Sequence, residues 1–587
     1  MLHRITYSLL LILFSFSSSF PQSIKKIVVE GNSAFTETEI LQWAQATTSL
    51  LVYPGLIDSI KKRLAFNFSN RGYLNSNFDG IQIEPLSDST FVNLIINFTE
   101  GEPTYINNIF IEREDSSLID FNSYFDFLKG QIFNKYSLEE SINEALTFAE
   151  NNSYPFIKIK IEGLDFYSDS SSEDHIVDIN LLIDNGQKSA IDKIEVKGNT
   201  STKDYVITRE LRISQGEEYS QAMVEELPNR LNRLRYFEPV ATPQFLINAQ
   251  KEGVLLIEVK EKQTNNFDGI IGYIPAAKEG EKGYVTGLVN ISLRNLFGTG
   301  RAAAFHWQQF NRFSQDIEIK YLEPWLLGYP FNINGTLYQR KQDTTYVQRK
   351  LEGNLEYLAT EDISAAVLVG TESIIPSQNA NKYTRIFNSS ILTTGVNLKI
   401  DTRDDPYAPK GGVLFINSYS LSRKKLIGPQ EFITPDLETN INLQRFTFSF
   451  WGFYELFTNQ IIAVGLTGKE LRGSFFEESD LFRLGGNNSL RGYREEQFLG
   501  SRVAWSNLEY RFLLTRRSYA FAFFDTGYYL RNEDAERNIL KNEDFNIGYG
   551  IGLSIETGLG VLGVSFALAK GDSFSDGKIH FGIINEF

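Results

Sequence analysis

Residues 482 to 502 read FRLGGNNSLRGYREEQFLGSR, and between Leu484 and Tyr493 the only charged side chain is Arg491. A guanidinium does not give up its proton, so in a confined polar space it is stable only where carboxylates meet its fork of donors. Two candidates follow in the chain, Glu509 in NLEYRF and Asp525 in FFDTG. Gly492 lets the backbone turn sharply after the arginine, and Gly485-Gly486 lets two backbones approach closely. Asp525 shares its alternation with Phe521 and Phe523. Either a bulge separates the carboxylate from the rings, or all three point inward. The chemistry on offer is electrostatic tethering; the alternative is a solvated ion pair at a loop tip, which contributes little.

Catalytic chemistry has no foothold. The chain holds no G-x-S-x-G elbow, no H-E-x-x-H and no Walker loop, and only four histidines. GTGR, Gly298 to Arg301, stands between strand patterns rather than ahead of a helix, unlike a phosphate loop. The absence of cysteine removes disulfides and thiolate metal ligands. No enzyme, cofactor or metal centre is expected. A net charge of −16 argues against a nucleic-acid partner.

The elements that must position Arg491 come in two textures. Residues 1–22 read as a signal peptide: His3 and Arg4 precede an apolar run from Ile5 to Phe16 that is too short to span a bilayer, followed by Ser17-Ser18-Ser19. IKKIVVEGN (Ile24 to Asn32) and IDKIEVKGN (Ile191 to Asn199) then agree at six of nine positions, and INNIFIERE (Ile106 to Glu114) is a weaker copy without the Gly-Asn turn. Each copy ends in a β-rich run. Between them lie helical patterns such as SLEESINEALTFAENN, where Ser137 and Glu140 predict a capping box. These α+β repeats resemble the polypeptide-transport-associated (POTRA) domain, with boundaries at 24–101, 102–188 (divergent) and 189–262. The resemblance implies binding of extended client chains at a sheet edge; a rigid spacer is the alternative.

After Lys262 helical periodicity gives way to alternation. Val285, Val289, Ile291 and Leu293 oppose Thr286, Asn290, Ser292 and Arg294, with Leu288 the exception, and similar strands continue to the C-terminus. The length of this region, 264–587, its aromatic content and a last strand with Ile579, Phe581, Ile583 and Phe587 on one face predict a transmembrane antiparallel β-barrel of about sixteen strands rather than a sandwich. GKIHFGIINEF resembles the sorting strand of bacterial outer-membrane proteins.

Phe482, Gly485-Gly486 and Leu490-Arg491-Gly492-Tyr493 resemble the F-x-x-G-G…[VL]-R-G-[FY] signature of the BamA/TamA superfamily. NLFGTGR, YLEPWLLG and DTRDDPYAPKGG agree, the last through Asp401, Arg403, Asp404 and Pro406. The resemblance implies that Arg491, Gly492 and Tyr493 lock an inward-folded loop against the barrel wall. It also implies an outer-membrane location with periplasmic repeats, and a role in assembling, inserting or translocating outer-membrane proteins. The expected partners are unfolded outer-membrane protein clients, a periplasmic or inner-membrane accessory protein, and lipid. Three repeats look more like TamA than BamA. Gly269, Gly272 and Gly582, in the first and last strands, mark a weak seam. A dedicated two-partner-type secretion transporter and a passive channel or receptor are the alternatives.

Overall fold

The computed structural model describes residues 22–87, 90–113, 120–168, 175–275, 283–377, 386–533, 540–557 and 560–584. The apolar N-terminal run and Phe587 lie outside the described residues. The chain divides into two compact units, one of Met1–Lys193 with 215–224 and 245–254, the other of Ile194–Ser214 with 225–244 and 255–587.

In the first unit, strand Ser23–Glu30 is followed by helices Glu37–Ala44 and Leu56–Ser69, then strands Asn77–Pro85 and Phe91–Thr99. The last strand is central, parallel to the first and antiparallel to the second. Along the longer helix Leu56, Ile60, Leu64 and Phe68 recur about one turn apart, and all four are buried. Val92, Leu94, Ile96 and Phe98 recur at every second residue of the central strand and join the same core. A helical period thus meets a strand period across one core, and each such side chain contributes about 1.5–3 kcal/mol by burial.

The second repeat keeps its strands, Thr104–Arg113, Lys158–Ser168 and His175–Asp184, and one helix, Lys135–Asn151. Two 3-10 turns, Asn122–Tyr124 and Asp126–Leu128, stand where the first repeat has its first helix. The capping box expected at Ser137 does not form. Asn134 is the N-cap, its side chain accepting from the Tyr136 N–H at 2.9 Å, so Ser137 falls inside the first turn, beyond the cap position that its hydroxyl would need.

The Gly-Asn turns share a geometry. Gly31 and Gly198 have φ of +95° and +89°, and a Cβ added to either would lie 1.8 or 1.9 Å from the carbonyl oxygen of Phe98 or Val259, so both conformation and space demand glycine. Asn32 and Asn199 each donate to the carbonyl three residues on. A distant carboxylate closes each turn. Glu100 accepts from the N–H groups of Ser33 and Ala34 at 2.8 and 2.9 Å, and Glu261 from those of Ser201 and Thr202 at 3.0 and 2.6 Å. Desolvation alone would raise the Glu261 pKa, but hydrogen bonds from Thr202, Thr200 and Ser201 outweigh it and hold the carboxyl at about 2.

The second unit contains a sheet of sixteen strands in chain order, numbered here as barrel strands 1 to 16, from Asn266–Ile274 to Lys578–Ile584. Strands 4 and 5 are Gln315–Glu323 and Phe331–Gln342, strands 12 and 13 are Arg502–Leu513 and Tyr519–Arg531, and neighbours pair antiparallel. Leu351, Val367 and Val396 are each more than half exposed on the outer face, while Asp316, Glu372 and Asp525 are buried on the inner one. An apolar exterior around a polar lumen is the pattern of a membrane barrel. Leu288, the exception to the alternation, lines a lumenal cavity with Asn290 and His306. Among the described residues no helix is long and apolar enough to cross a membrane.

Candidate functional site

The loop carrying Arg491 joins barrel strand 11, Gln460–Arg472, to strand 12. Its stem is a short antiparallel pair, Phe482–Leu484 with Phe498–Gly500. Beyond the stem the chain folds inward, burying Leu484 and Leu490 against Val503 and Tyr529.

Arg491 is caged. Its Nε and Nη2 donate to the two carboxylate oxygens of Asp525, each at 2.7 Å, and its backbone N–H donates to the same carboxylate at 3.1 Å. Nη1 pairs with Glu509 at 2.7 Å, and Glu509 is held from its other side by Arg511 at 2.8 Å. Two cations therefore face two anions, all four side chains buried. The Phe523 ring centroid lies 3.7 Å from the guanidinium carbon, with Phe521 at 5.6 Å, so the cation rests on aromatic faces. Strands 12 and 13 pair without a register shift, placing Asn507 opposite Asp525, Glu509 opposite Phe523 and Arg511 opposite Phe521. There is no bulge at Asp525; the aromatics point inward beside it. With Arg491 6% exposed and Asp525 0%, the pair is not a solvated bridge at a loop tip.

Gly492, at φ +93°, donates its N–H to Nε2 of His580 at 3.1 Å, and an added Cβ would lie 2.7 Å from the Leu568 carbonyl oxygen. The Tyr493 hydroxyl donates to the Ile547 carbonyl at 3.2 Å. Gly485 and Gly486, at φ +118° and +95°, run close to the Arg494 carbonyl and the Glu495 carboxylate. Asn507 donates to Asp525 and to the Ser489 carbonyl, both at 2.9 Å. Sequence reasoning missed Asn507 and His580. The parity of KIHFGII, with Ile579 and Phe581 outward, was the available signal for His580.

Gly582 also serves the loop, since a Cβ there would lie 2.2 Å from the Asn487 side chain. Gly269 lets strand 1 approach Leu288, whose carbonyl oxygen a Cβ would meet at 2.6 Å; at Gly272 the nearest atom would be 3.4 Å away. Strands 1 and 16 end the sheet, and among the described residues no pairing joins them.

The second arginine motif lies between strand 8, Asn388–Asp401, and strand 9, Gly412–Gly428. Arg403 donates to both oxygens of Asp401 at 2.7 and 2.9 Å and to the Pro406 carbonyl at 3.1 Å. Asp404 accepts from the N–H groups of Lys410 and Gly411 at 3.0 and 3.2 Å. Asp405, not singled out from the sequence, pairs with Arg517 at 2.7 Å. At the same end of the barrel NLFGTGR and YLEPWLLG meet residues 202–210: Asn295 donates to the Thr202 hydroxyl at 2.8 Å, and the Trp325 indole to Glu210 at 2.7 Å. Burial pushes the Glu210 carboxyl up, opposed by Arg209 and that indole. Among the described residues no cluster of three or more His, Asp or Glu is placed to hold a metal ion.

A sixteen-stranded sheet with an apolar outside, a charged lumen and an inward loop tied to the wall defines an outer-membrane β-barrel protein. Residues 295–587 match the Omp85 superfamily domain, and residues 22–101 and 189–262 match POTRA, the surface antigen variable number repeat. The chain belongs to the Omp85 superfamily, an outer-membrane barrel with periplasmic POTRA domains. It is 22% identical over 611 residues to the outer membrane protein assembly factor BamA of Nitratidesulfovibrio vulgaris, covering 95% of this chain and 72% of that protein. It is also 22% identical over 296 residues to BamA of Neisseria meningitidis serogroup B, covering 48% of this chain and 35% of that relative's length. The crystal structure of BamA from Haemophilus ducreyi lacking POTRA domains 1–3 is 17% identical, covers 81% of this chain and 98% of that one, and has a TM-score of 0.49.

Proposed function

We propose that this protein assembles, inserts or translocates outer-membrane proteins by physical means, without a catalytic residue, cofactor or metal. The POTRA repeats capture unfolded clients by adding a client strand to a sheet edge. Strands 1 and 16 form a seam, with Gly269, Gly272, Gly582 and the terminal Phe587, where a client strand is templated into the bilayer. Arg491, Asp525 and Glu509, with Gly485, Gly486, Gly492 and Tyr493, lock the lumenal loop. Asp401, Arg403, Asp404 and Pro406 shape a periplasmic turn. A periplasmic or inner-membrane accessory protein works with the repeats, and the repeat number fits a TamA-like role.

The observation that carries this reading is the contact between the caged loop and a terminal strand. Gly492 bonds His580, and Asn487 occupies the space that a side chain at 582 would fill. The lock is therefore mechanically tied to the place where the seam would open.

The test is depletion of the protein in its own cell with quantitative proteomics of the outer membrane. Loss of several barrel proteins, uncorrected by an Arg491→Ala copy, is the expected result. An unchanged outer membrane, with one exported protein held in the periplasm, sinks the insertase reading in favour of a dedicated secretion transporter. A large steady conductance without an assembly defect sinks it in favour of a channel.

A further inference from the structure

The lumenal loop has a second tie, five residues beyond Arg491 and on a different part of the wall. Glu496 receives two hydrogen bonds from Arg340 of strand 5, from Nη1 at 3.1 Å and Nη2 at 3.0 Å. The same guanidinium is gripped by Asp316 of strand 4, Nε to Oδ1 at 2.9 Å and Nη2 to Oδ2 at 2.6 Å. Tyr338 adds its hydroxyl to Asp316 at 3.0 Å, and Arg483, at the loop stem, donates to Glu496 at 3.1 Å. Two arginines again face two carboxylates, in a geometry of paired donors and acceptors that a chance contact between flexible side chains does not produce.

Position in the sheet gives this tie its meaning. Arg491 is held by strands 12 and 13 and Glu496 by strands 4 and 5, eight strands apart in the order of a sixteen-stranded sheet. Glu496 also has φ +53°, the left-handed region that residues with a side chain adopt uncommonly. Gly485 accepts from the Glu496 N–H at 3.3 Å, closing the tip on itself.

We propose that Glu496, Arg340 and Asp316 are positioning residues that turn the loop into a strut across the lumen, braced at both ends. The Arg491 end holds the loop beside the terminal strand; the Glu496 end holds its tip against the far wall and bounds the lumenal cavity that Asn487, Glu495 and Glu318 also line. Releasing the far end frees the tip while the Arg491 cage stays closed. This rests on the proposed function in one respect: a strut matters to assembly because the walls move when a client strand enters.

The test reads position, not activity, so it stands or falls apart from the assembly assay. The chain contains no cysteine, so Asn488→Cys and Glu318→Cys give two unique spin-label sites on the tip and the far wall. Pulsed electron-electron resonance on the full chain in lipid vesicles is expected to give one narrow distance. Glu496→Gln and Arg340→Gln should each abolish that narrow peak, the two together should do no more than either alone, and Glu496→Asp, which keeps the charge, should restore part of it. Heat-modifiable migration on gels verifies that each variant barrel is folded. Because Arg340→Gln also leaves Asp316 unpaired, Glu496→Gln is the deciding variant. A narrow peak unchanged in folded Glu496→Gln overturns the proposal, and so does additive broadening in the double variant.

Discussion

Arg491 and Arg403 make the same kind of contact in two places. Each presents a fork to a carboxylate at 2.7 to 2.9 Å and adds a further acceptor. The difference is reach. Arg403 finds Asp401 and Pro406 within its own turn, whereas Arg491 ties a loop to two strands further along the chain and sits on the ring of Phe523. A motif arginine can therefore staple a turn or fasten one part of a fold to another, and the consequence of losing it follows from which.

The sharpest way to break this contrast is to remove the long-reach arginine. Arg491→Ala leaves Asp525 and Glu509 buried with half their countercharge gone, a loss of about 3–5 kcal/mol. Denaturant unfolding of the barrel in lipid vesicles, followed by gel mobility, should register it. Arg491→Lys keeps the charge but cannot supply the two parallel bonds to Asp525, and should fall between wild type and alanine. Arg403→Ala is expected to cost about 1.5–3 kcal/mol, the range for hydrogen bonds to charged groups. It should raise hydrogen exchange in residues 401–412 and leave residues 485–497 unchanged. Equal effects from the two alanine variants on loop protection would erase the distinction.

Reach also decided what was visible in the sequence. Alternation identified the barrel, because one strand's burial pattern is written in its own residues: Val396, Leu398 and Ile400 face out, as their parity requires. Asp401 and Arg403 were named through the family motif they resemble, and their pairing came only with the structure. Glu509 could be named because parity puts it on the inward face of NLEYRF, whereas the alternation of Asp525 with Phe521 and Phe523 left its direction open until the strand pairing showed no bulge. Asn507 and His580 lie on inward faces that parity marks, but nothing local ties either to Arg491, and the strands 4 and 5 side of the loop is more than 150 residues away in the chain. Local competition hid smaller features: Asn134 takes the helix cap three residues before the pattern begins at Ser137, and the first helix of the second repeat is reduced to 3-10 turns.

Glycines offer a milder version of the same contrast. Gly198 has a positive φ and a backbone carbonyl 1.9 Å from where a Cβ would stand; Gly130 has φ +75° and nothing within 4 Å of that position. Gly198→Ala must therefore move Val259 as well as adopt a strained conformation, whereas Gly130→Ala carries strain alone, about 1–2 kcal/mol. Thermal unfolding of the full chain, read by circular dichroism at a helix wavelength, should show the larger shift for Gly198→Ala. A smaller shift than that of Gly130→Ala would mean that the Val259 approach is not a constraint.

The smallest effect belongs to Glu261, which reaches far along the chain, as Arg491 does, but lies near solvent. Its carboxyl is held at about 2 in the folded chain against an ordinary 4.5. A depressed carboxylate pKa stabilises the folded state fully above the unfolded value, and this contribution is lost as pH falls from about 4.5 through 2. Because the group is only partly buried, solvent screens it, and the change in overall stability should be slight. The local readout is hydrogen exchange at Ser201 and Thr202, whose amides the carboxylate accepts. At neutral pH, Glu261→Gln should speed exchange there once intrinsic rates are removed, and below the window wild type and variant should converge. If they differ by the same factor on both sides of it, the turn is held by backbone geometry and Gly198, and charge has no part in closing it.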